Sequence, residues 1–535
     1  MKCLVLLSLV AFAPAGALAQ NPAVTVAVDA AANRHPINPM IYGVSWGSKA
    51  DLKALNAPLN RAGGTPSSTY NWQSNTENLS DDWFFESYPQ GAATPGLQGD
   101  TLISDSKAAD AQPMLTIPLI GWVAKRGENN AILPSFSVAK YGAQCSTDFY
   151  LPDAGDGLKP DCATKLTGND PADAYVPDSI AAEQGWARHL VATWHGAAQG
   201  GLRYYIMDNE SSIWFGDHWD VHPVGPHASE IRDAVIDMSA AIKAVDPGAL
   251  IVGPEEYGWF GYLFSGYDQQ WLAAHGFNVS GAPDRNGPMN GMDYIPWLLT
   301  QWKPSHALDV LSVHFYPLGG EYGDDNSTAT QLLRNRSTRQ LWDPNYSPPY
   351  YPNQPVALIP LLKKWINTYY DAKTPVAITE YNWGDEANPN GATAQADIFG
   401  IFGREGLDMA TRWTVPAAGT PTYAAMRMYR NYDGRNSTFG DTSVSANAPN
   451  PDRLAAFGAI RAADGAMTVM VVNKDLTGNT AVTVKIKHFA HRGTAEAYQL
   501  TGAAIVKLKK QKFSDAKLTL TVPPQSITLL IFPKG

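Results

Sequence analysis

The run LRYYIMDNESSIWFGDHWDVH, Leu202–His222, starts as a strand and stops on a carboxylate. Tyr204, Tyr205, Ile206 and Met207 are aromatic, β-branched or apolar, the residue types of a buried strand. Asp208-Asn209-Glu210 ends the run, and a Trp-rich loop follows. A buried strand that runs into an acidic residue is how a (β/α)8 barrel presents reactive groups, at the carboxyl end of a strand. An acidic turn after any strand has the same local signature, so the rest of the chain has to carry the argument.

Seven further runs share the pattern of a short apolar stretch ending in polar or aromatic residues. Strand one is expected over Ile37–Trp46, two over Ala57–Gly64, three over Gln112–Trp122 and four over Leu202–Glu210. Strand five follows over Ala249–Trp259, six over Leu308–Pro317, seven over Pro375–Gly384 and eight over Leu407–Val415. Their apolar content is nearly continuous, which marks a sheet covered on both faces. Helical periodicity fills Asp178–Gln199, Ala228–Val245 and Val356–Tyr370, each just before a strand. Strands alternating with helices indicate a parallel sheet, and eight of them a closed barrel.

Past about residue 429 the helical period stops. Thr468–Asn473, Thr480–Lys487, Thr494–Leu500, Leu518–Val522 and Ser526–Phe532 read as strands separated by turns such as Asp464-Gly465. This is an all-β sandwich. Ala23–Asp29 is a lone alternating strand near the start of the chain and is its expected missing member. The fold class is therefore α/β: a (β/α)8 barrel over residues 37–429, and a β-sandwich formed by residues 430–535 with a strand from residues 20–36. A fixed interface between the two is expected.

At 535 residues the chain is long enough for both units. A hydrophobic content of 44% and a charged content of 17% suit a packed globular protein. The net charge of −10 argues against nucleic acid or an anionic membrane as partner. Residues 1–19 read as a secretory signal: Lys2, the apolar run Leu4–Phe12, then Ala17-Leu18-Ala19 as cleavage site. Secretion is thus expected. No other stretch is apolar enough for a membrane span. Cys145 and Cys162 are an even pair in an exported chain and read as one disulfide, with two buried thiols as the alternative. A monomer is expected.

Two carboxylates end predicted strands, Glu210 on four and Glu380 on seven. In an eight-stranded barrel these strands face each other across the mouth. Two opposed carboxylates are what hydrolysis of a sugar bond needs: one protonated to assist the leaving oxygen, one ionised to attack. Neighbouring residue types fit a glycan cleft. Asn209 and His314 are candidate hydrogen-bonding groups. Arg61 and Tyr316 are placed to hold the nucleophile ionised. Trp72, Trp214 and Trp383 are candidates for stacking on sugar rings, although a Trp after a barrel strand is as readily a lid over the core. Glu255-Glu256 after strand five is a further acidic pair, read as a subsite or structural feature.

These segments resemble glycoside hydrolase family 44, secreted endo-β-1,4-glucanases and xyloglucanases. The likeness lies in Arg61–Trp83, Pro152–Gly157, Thr167–Ala172, Tyr205–Trp214, Ile378–Trp383 and the long run Gly406–Val444. The resemblance implies a barrel joined to a β-sandwich, and retention through a covalent glycosyl-enzyme. It matches Glu210 to the acid/base and Glu380 to the nucleophile. It implies no cofactor for catalysis, a β-glucan polysaccharide as partner, and a structural calcium, for which Asp153 and Asp156 are the oxygen ligands on offer.

The chain departs from the family pattern at Ser211, where Pro is usual, and at Ala62 and Thr65, where Trp and Asn are usual. These changes bear on substrate preference, because both carboxylates remain. Xylanase or mannanase specificity and a non-catalytic glycan-binding protein are the alternatives. His218 and His222 have the spacing of a metal pair, but their segment does not read as a stable helix. They are taken as substrate-side hydrogen bonders or loop struts.

Overall fold

The computed structural model describes residues 20–534. The leader expected over residues 1–19 lies outside the described residues. Eight parallel strands close into a barrel, in the order four, five, six, seven, eight, one, two, three. They are Gly43–Ser45, Leu59–Ala62, Gln112–Ile117, Tyr204–Met207, Leu250–Tyr257, Val310–Phe315, Val376–Tyr381 and Met409–Arg412. Each falls inside its expected run. The helices Ile180–Trp194, Ala228–Val245 and Leu358–Tyr369 lie where the 3.6 period places them.

Two strands are shorter than expected for clear reasons. Strand one keeps only Gly43–Ser45, because Asn38 caps a 3-10 turn over Pro39–Tyr42 with its side chain on the Met40 amide. Strand three stops at Ile117 because Pro118 has no N–H for the ladder. The continuation Trp122–Ala124 pairs with Tyr175–Pro177 in a separate ribbon.

The barrel interior changes chemistry along its axis. Leu59, Met114, Tyr204, Ile206, Val252, Val310, Ala377 and Met409 form one apolar cluster. Two residues further along their strands stand Arg61, Thr116, Asp208, Ser312, Thr379 and Thr411, all buried. A period of two keeps these on the inner face. The carboxyl half of the interior is therefore a polar network resting on an apolar floor.

Two β-bulges adjust this network. The register between strands five and six shifts between Pro254 and Glu256, leaving Glu255 extra at φ 58°. Between strands six and seven it shifts between Val313 and His314, so His314 stands opposite Glu380. A bulge re-aims the side chains that follow it. Thr379 and Glu380 both serve the interior end of the barrel through this shift.

The sandwich includes Asn21–Asp29, which runs parallel to Thr480–Lys487 and antiparallel to Thr442–Asn447. Its sheet extends from Ala504–Lys507 at one edge to Lys517–Val522 at the other. Met467–Asn473 is buried on both faces. Val469 and Val471 belong to the sandwich's own core, while Met470 and Val472 join the core that surrounds the barrel. The Lys474 ammonium donates to Asp397 Oδ2 at 2.6 Å in the same interface, on the buried helix Pro389–Glu405. The interface is thus apolar and pinned by an ion pair. Among the described residues, no helix is long and apolar enough to cross a membrane.

Candidate active site

A cavity of about 330 Å³ opens at the carboxyl ends of the strands. Glu210 and Glu380 line it from opposite sides, together with Asn209, Tyr316 and Trp413. Both carboxylates are largely sequestered, at 9% and 7% exposure, so substrate has to come down to them. One oxygen of Glu210, one of Glu380 and one ring nitrogen of His314 lie within 4.8 Å of one another.

Strand four delivers Glu210 through a contorted turn. Asp208 and Glu210 both take left-handed φ, at 62° and 50°. Non-glycine residues hold such angles only when their surroundings fix them, and they cluster at functional sites. Asp208 supplies the fixing: its carboxylate accepts from the Asn209 amide at 2.7 Å and from the Leu119 amide. Burial pushes the Asp208 carboxyl up to about 7. Ser211, where Pro is usual in the resembling family, donates its hydroxyl to Glu256 Oε1 at 2.8 Å. That bond ties the turn to strand five.

Glu380 receives two donors, Arg61 Nη1 at 2.8 Å on Oε2 and the Tyr316 hydroxyl at 2.8 Å on Oε1. Glu210 receives one, from His314 Nδ1 at 2.6 Å on Oε1. Burial raises the Glu210 carboxyl, Glu380 adds to that, and His314 and Arg61 oppose it. Burial also raises Tyr316, with the Glu380 charge behind it, so the phenol stays a donor.

Below the two carboxylates lies Glu255, fully buried. His314 Nε2 donates to its Oε2 at 2.9 Å, and Arg61 Nη2 lies 3.2 Å from the same oxygen. Its Oε1 accepts from Thr379 at 2.8 Å and from Ser312. Burial works against its charge, but Arg61, His314 and Ser312 bring Glu255 down to about 2. His314 moves the other way. Burial disfavours its charge, yet Glu380, Glu210 and Glu255 lift it to about 9. The result is a buried chain of hydrogen bonds and ion pairs from Glu210 through His314, Glu255 and Arg61 to Glu380.

This donor set does not fit a metal. His314 has each ring nitrogen on a carboxylate, and an imidazolium has no lone pair to offer. Arg61 adds a fixed cation beside Glu380. In the acidic loop, the two carboxylates expected to hold calcium have partners within the protein. Asp153 accepts from the Ser137 hydroxyl at 2.7 Å and the Ala139 amide at 2.8 Å, and Asp156 from the Leu158 amide at 3.0 Å. Both carboxylates tie their own loop. Cys145 and Cys162 close it as a disulfide.

Arg61, Asn209, His314 and Tyr316 come together around the two glutamates. Arg61 and His314 are fully buried and reach the carboxylates from below, where a sugar does not touch them. Asn209 Oδ1 accepts from Arg61 Nη2 at 2.9 Å and the Gly64 amide at 3.1 Å. Its NH2 is thereby left as the donor at the cavity.

The three tryptophans expected to stack on sugars lie elsewhere. Trp214 is 1% exposed and Trp383 2%. Trp383 donates to Ser337 Oγ at 2.9 Å and packs on Phe315; Trp72 donates to the Ala182 carbonyl at 3.1 Å. All three are packing residues. Trp413, at the end of strand eight, lines the cavity instead, as do Asp82, Tyr257 and Tyr322. The strand-end rule that selected Glu210 also marks Trp413. Glu255 was marked only as one of an acidic pair after strand five, and a bulge turns it inward. His218 and His222 are loop struts: His218 Nδ1 bonds Ser80 Oγ at 2.8 Å, and His222 Nε2 bonds Glu230 at 2.9 Å.

A model of glycoside hydrolase family 44 matches residues 76–318. The chain is 55% identical to CelM2, a bifunctional glucanase-xylanase from a metagenome library, covering 96% of this chain and 100% of that one with a TM-score of 0.94. Against a family 44 xyloglucanase from Paenibacillus polymyxa, solved with xyloglucan, identity is 26% over 96% and 100% of the two chains, with a TM-score of 0.77. It is 27% identical over 517 residues to β-mannanase/endoglucanase A of Caldicellulosiruptor saccharolyticus, covering 89% of this chain. The chain spans only 36% of that protein's length.

Proposed function

Since the chain belongs to glycoside hydrolase family 44, we propose that it is a retaining endo-β-1,4-glucanase, exported from the cell. The observation that carries this reading is the approach of Glu210 and Glu380 oxygens within 4.8 Å across one open cavity. Retaining enzymes hold their carboxyl groups about 5–5.5 Å apart, and inverting ones leave about 6.5–9.5 Å for a water. The leader-like residues 1–19 and the disulfide support export.

In this mechanism the Glu380 carboxylate attacks the anomeric carbon while the glycosidic C–O bond breaks. Glu210 delivers its proton to the departing oxygen from Oε2, since His314 occupies Oε1. Water then attacks the same carbon, its proton passes to Glu210, and the Glu380 carboxylate is released. Arg61 and Tyr316 keep both Glu380 oxygens aimed before and after the covalent step. Such preorganised donors are worth most in a site shielded from water.

A second substrate, xylan, is favoured by the glucanase-xylanase description of the 55% identical relative. Xylose is glucose without its hydroxymethyl group, so a cleft that admits glucan admits xylan by size. Initial rates on barley glucan, carboxymethylcellulose, xyloglucan, xylan and mannan test the proposal. Release of reducing ends from the glucans is expected; activity confined to mannan, or absent on all five, overturns it.

A further inference from the structure

A second cavity, of about 370 Å³, opens where strand one ends. Its wall contains Trp46, which follows strand one, with Gln90, Gln98, Thr101 and Asp105. Trp46 is 37% exposed, unlike the buried Trp214 and Trp383. Its backbone amide donates to the Arg61 carbonyl at 2.9 Å and its indole N–H to the Gly63 carbonyl at 3.0 Å. The ring is held in place while much of it remains open.

The polar wall is also fixed. Gln90 Nε2 donates to Glu77 Oε1 at 2.8 Å, and Gln98 Nε2 to Glu77 Oε2 at 3.1 Å. Their NH2 groups face Glu77, and their carbonyl oxygens face away from it. Among the described residues, neither carbonyl oxygen receives a hydrogen bond. Asp105 adds a carboxylate. The cavity thus offers acceptors beside an aromatic face, which suits a ligand with several hydroxyl donors and an apolar ring face, as a pyranose has.

Strand order relates the two cavities. Trp413 and Gly64 of the catalytic cavity end strands eight and two; Trp46 ends strand one, which lies between them. The ground between is Gly63-Gly64. A Cβ on Gly64 would stand 2.4 Å from the Trp413 ring, and one on Gly63 2.3 Å from the Arg61 guanidinium. Glycine at both positions is what lets Arg61 and Trp413 lie against this backbone. We propose that Trp46, Gln90 and Gln98 form a distal subsite for one sugar unit of the glucan chain whose scissile bond lies between Glu210 and Glu380. This assignment rests on the glucanase reading above.

Chain-length kinetics test it. For Trp46→Ala, KM on cellohexaose should rise about five- to tenfold with kcat little changed, while cellotriose, too short to reach the rim, keeps its constants. Gln98→Ala should shift the cellohexaose KM in the same direction by less. Trp46→Phe keeps a ring but loses the bond to Gly63, and should hold the cellohexaose KM near wild type. An unchanged cellohexaose KM in Trp46→Ala overturns the subsite, as does an equal loss on both lengths. Wild-type protein inactive on every β-1,4-glucan overturns the glucanase reading instead.

Discussion

Glu380 and Glu210 are the same residue type, both at strand ends and both nearly closed off, yet their surroundings differ. Glu380 has a guanidinium on one oxygen and a phenol on the other. Glu210 has a single imidazole on one oxygen, and burial raises its carboxyl. The first setting fully solvates a carboxylate with fixed donors. The second leaves one oxygen free and favours keeping a proton. The proposed division of labour between nucleophile and acid rests on these neighbours, chiefly Arg61, Tyr316 and His314. Glu255 joins the two settings from beneath, because it holds Arg61 with one oxygen and His314 with the same one.

Substitutions break this comparison in a definite order. Glu380→Ala should lower kcat on β-glucan by about 10⁴-fold or more with the fold intact, since no covalent intermediate forms. Circular dichroism and a rate assay on the same sample check this. Glu210→Gln should cost about 10²–10⁴-fold on polysaccharide, where the leaving oxygen needs a proton. It should cost far less in the first step of an aryl glycoside with an acidic phenol as leaving group. An equal loss on both substrates contradicts the acid role.

Glu255→Gln removes the shared anion and leaves Arg61 and His314 charged and short of a partner. Breaking a buried pair in this way costs about 3–5 kcal/mol, measurable as a lower urea midpoint. Its activity loss should exceed what a purely structural site gives, because both catalytic neighbours lose their orientation.

The smallest expected effect is the pH dependence of stability. His314 is lifted from 6.5 to about 9 on folding, so its contribution is full below about 6.5 and is lost as pH rises toward 9. Asp208 and Glu256, both raised to about 7 by burial, lose theirs earlier, from their unfolded values up to 7. Glu255, lowered to about 2, contributes above about 4.5 and loses it as pH falls toward 2. The melting temperature should therefore peak on the acid side of neutrality and fall between pH 7 and 9. A melting temperature that rises over that interval contradicts the charged network.

The barrel was legible because its eight strands are near-continuous apolar runs, and such runs survive errors of two or three residues at their ends. The meeting of Glu210 and Glu380 at one cavity was legible because each ends such a run. Arg61 and Tyr316 were readable as partners of Glu380 by type and strand position. The tryptophans were not. Trp413 directly follows strand eight and falls under the strand-end rule, whereas the burial of Trp214 depends on how its loop folds back, for which composition carries no signal. Glu255 was read with Glu256 as a subsite or structural feature, and its place beneath Glu210 and Glu380 was not legible, because the bulge at Pro254 buries both where a period of two places them on opposite faces. Among the sandwich strands, Thr442–Asn447 and Leu454–Ile460 were missed. The first carries little apolar surface, and the second is rich in alanine and glycine, which signal strand weakly.

Trapping the intermediate tests the central assignment most directly. A 2-deoxy-2-fluoro cellobioside with a good leaving group slows both steps and lets the glycosyl-enzyme accumulate. Mass spectrometry of the digested protein should find one added fluorocellobiosyl unit, on the peptide that contains Glu380. An adduct on Glu210, or rapid turnover with no adduct and release of the α-anomer, contradicts the account.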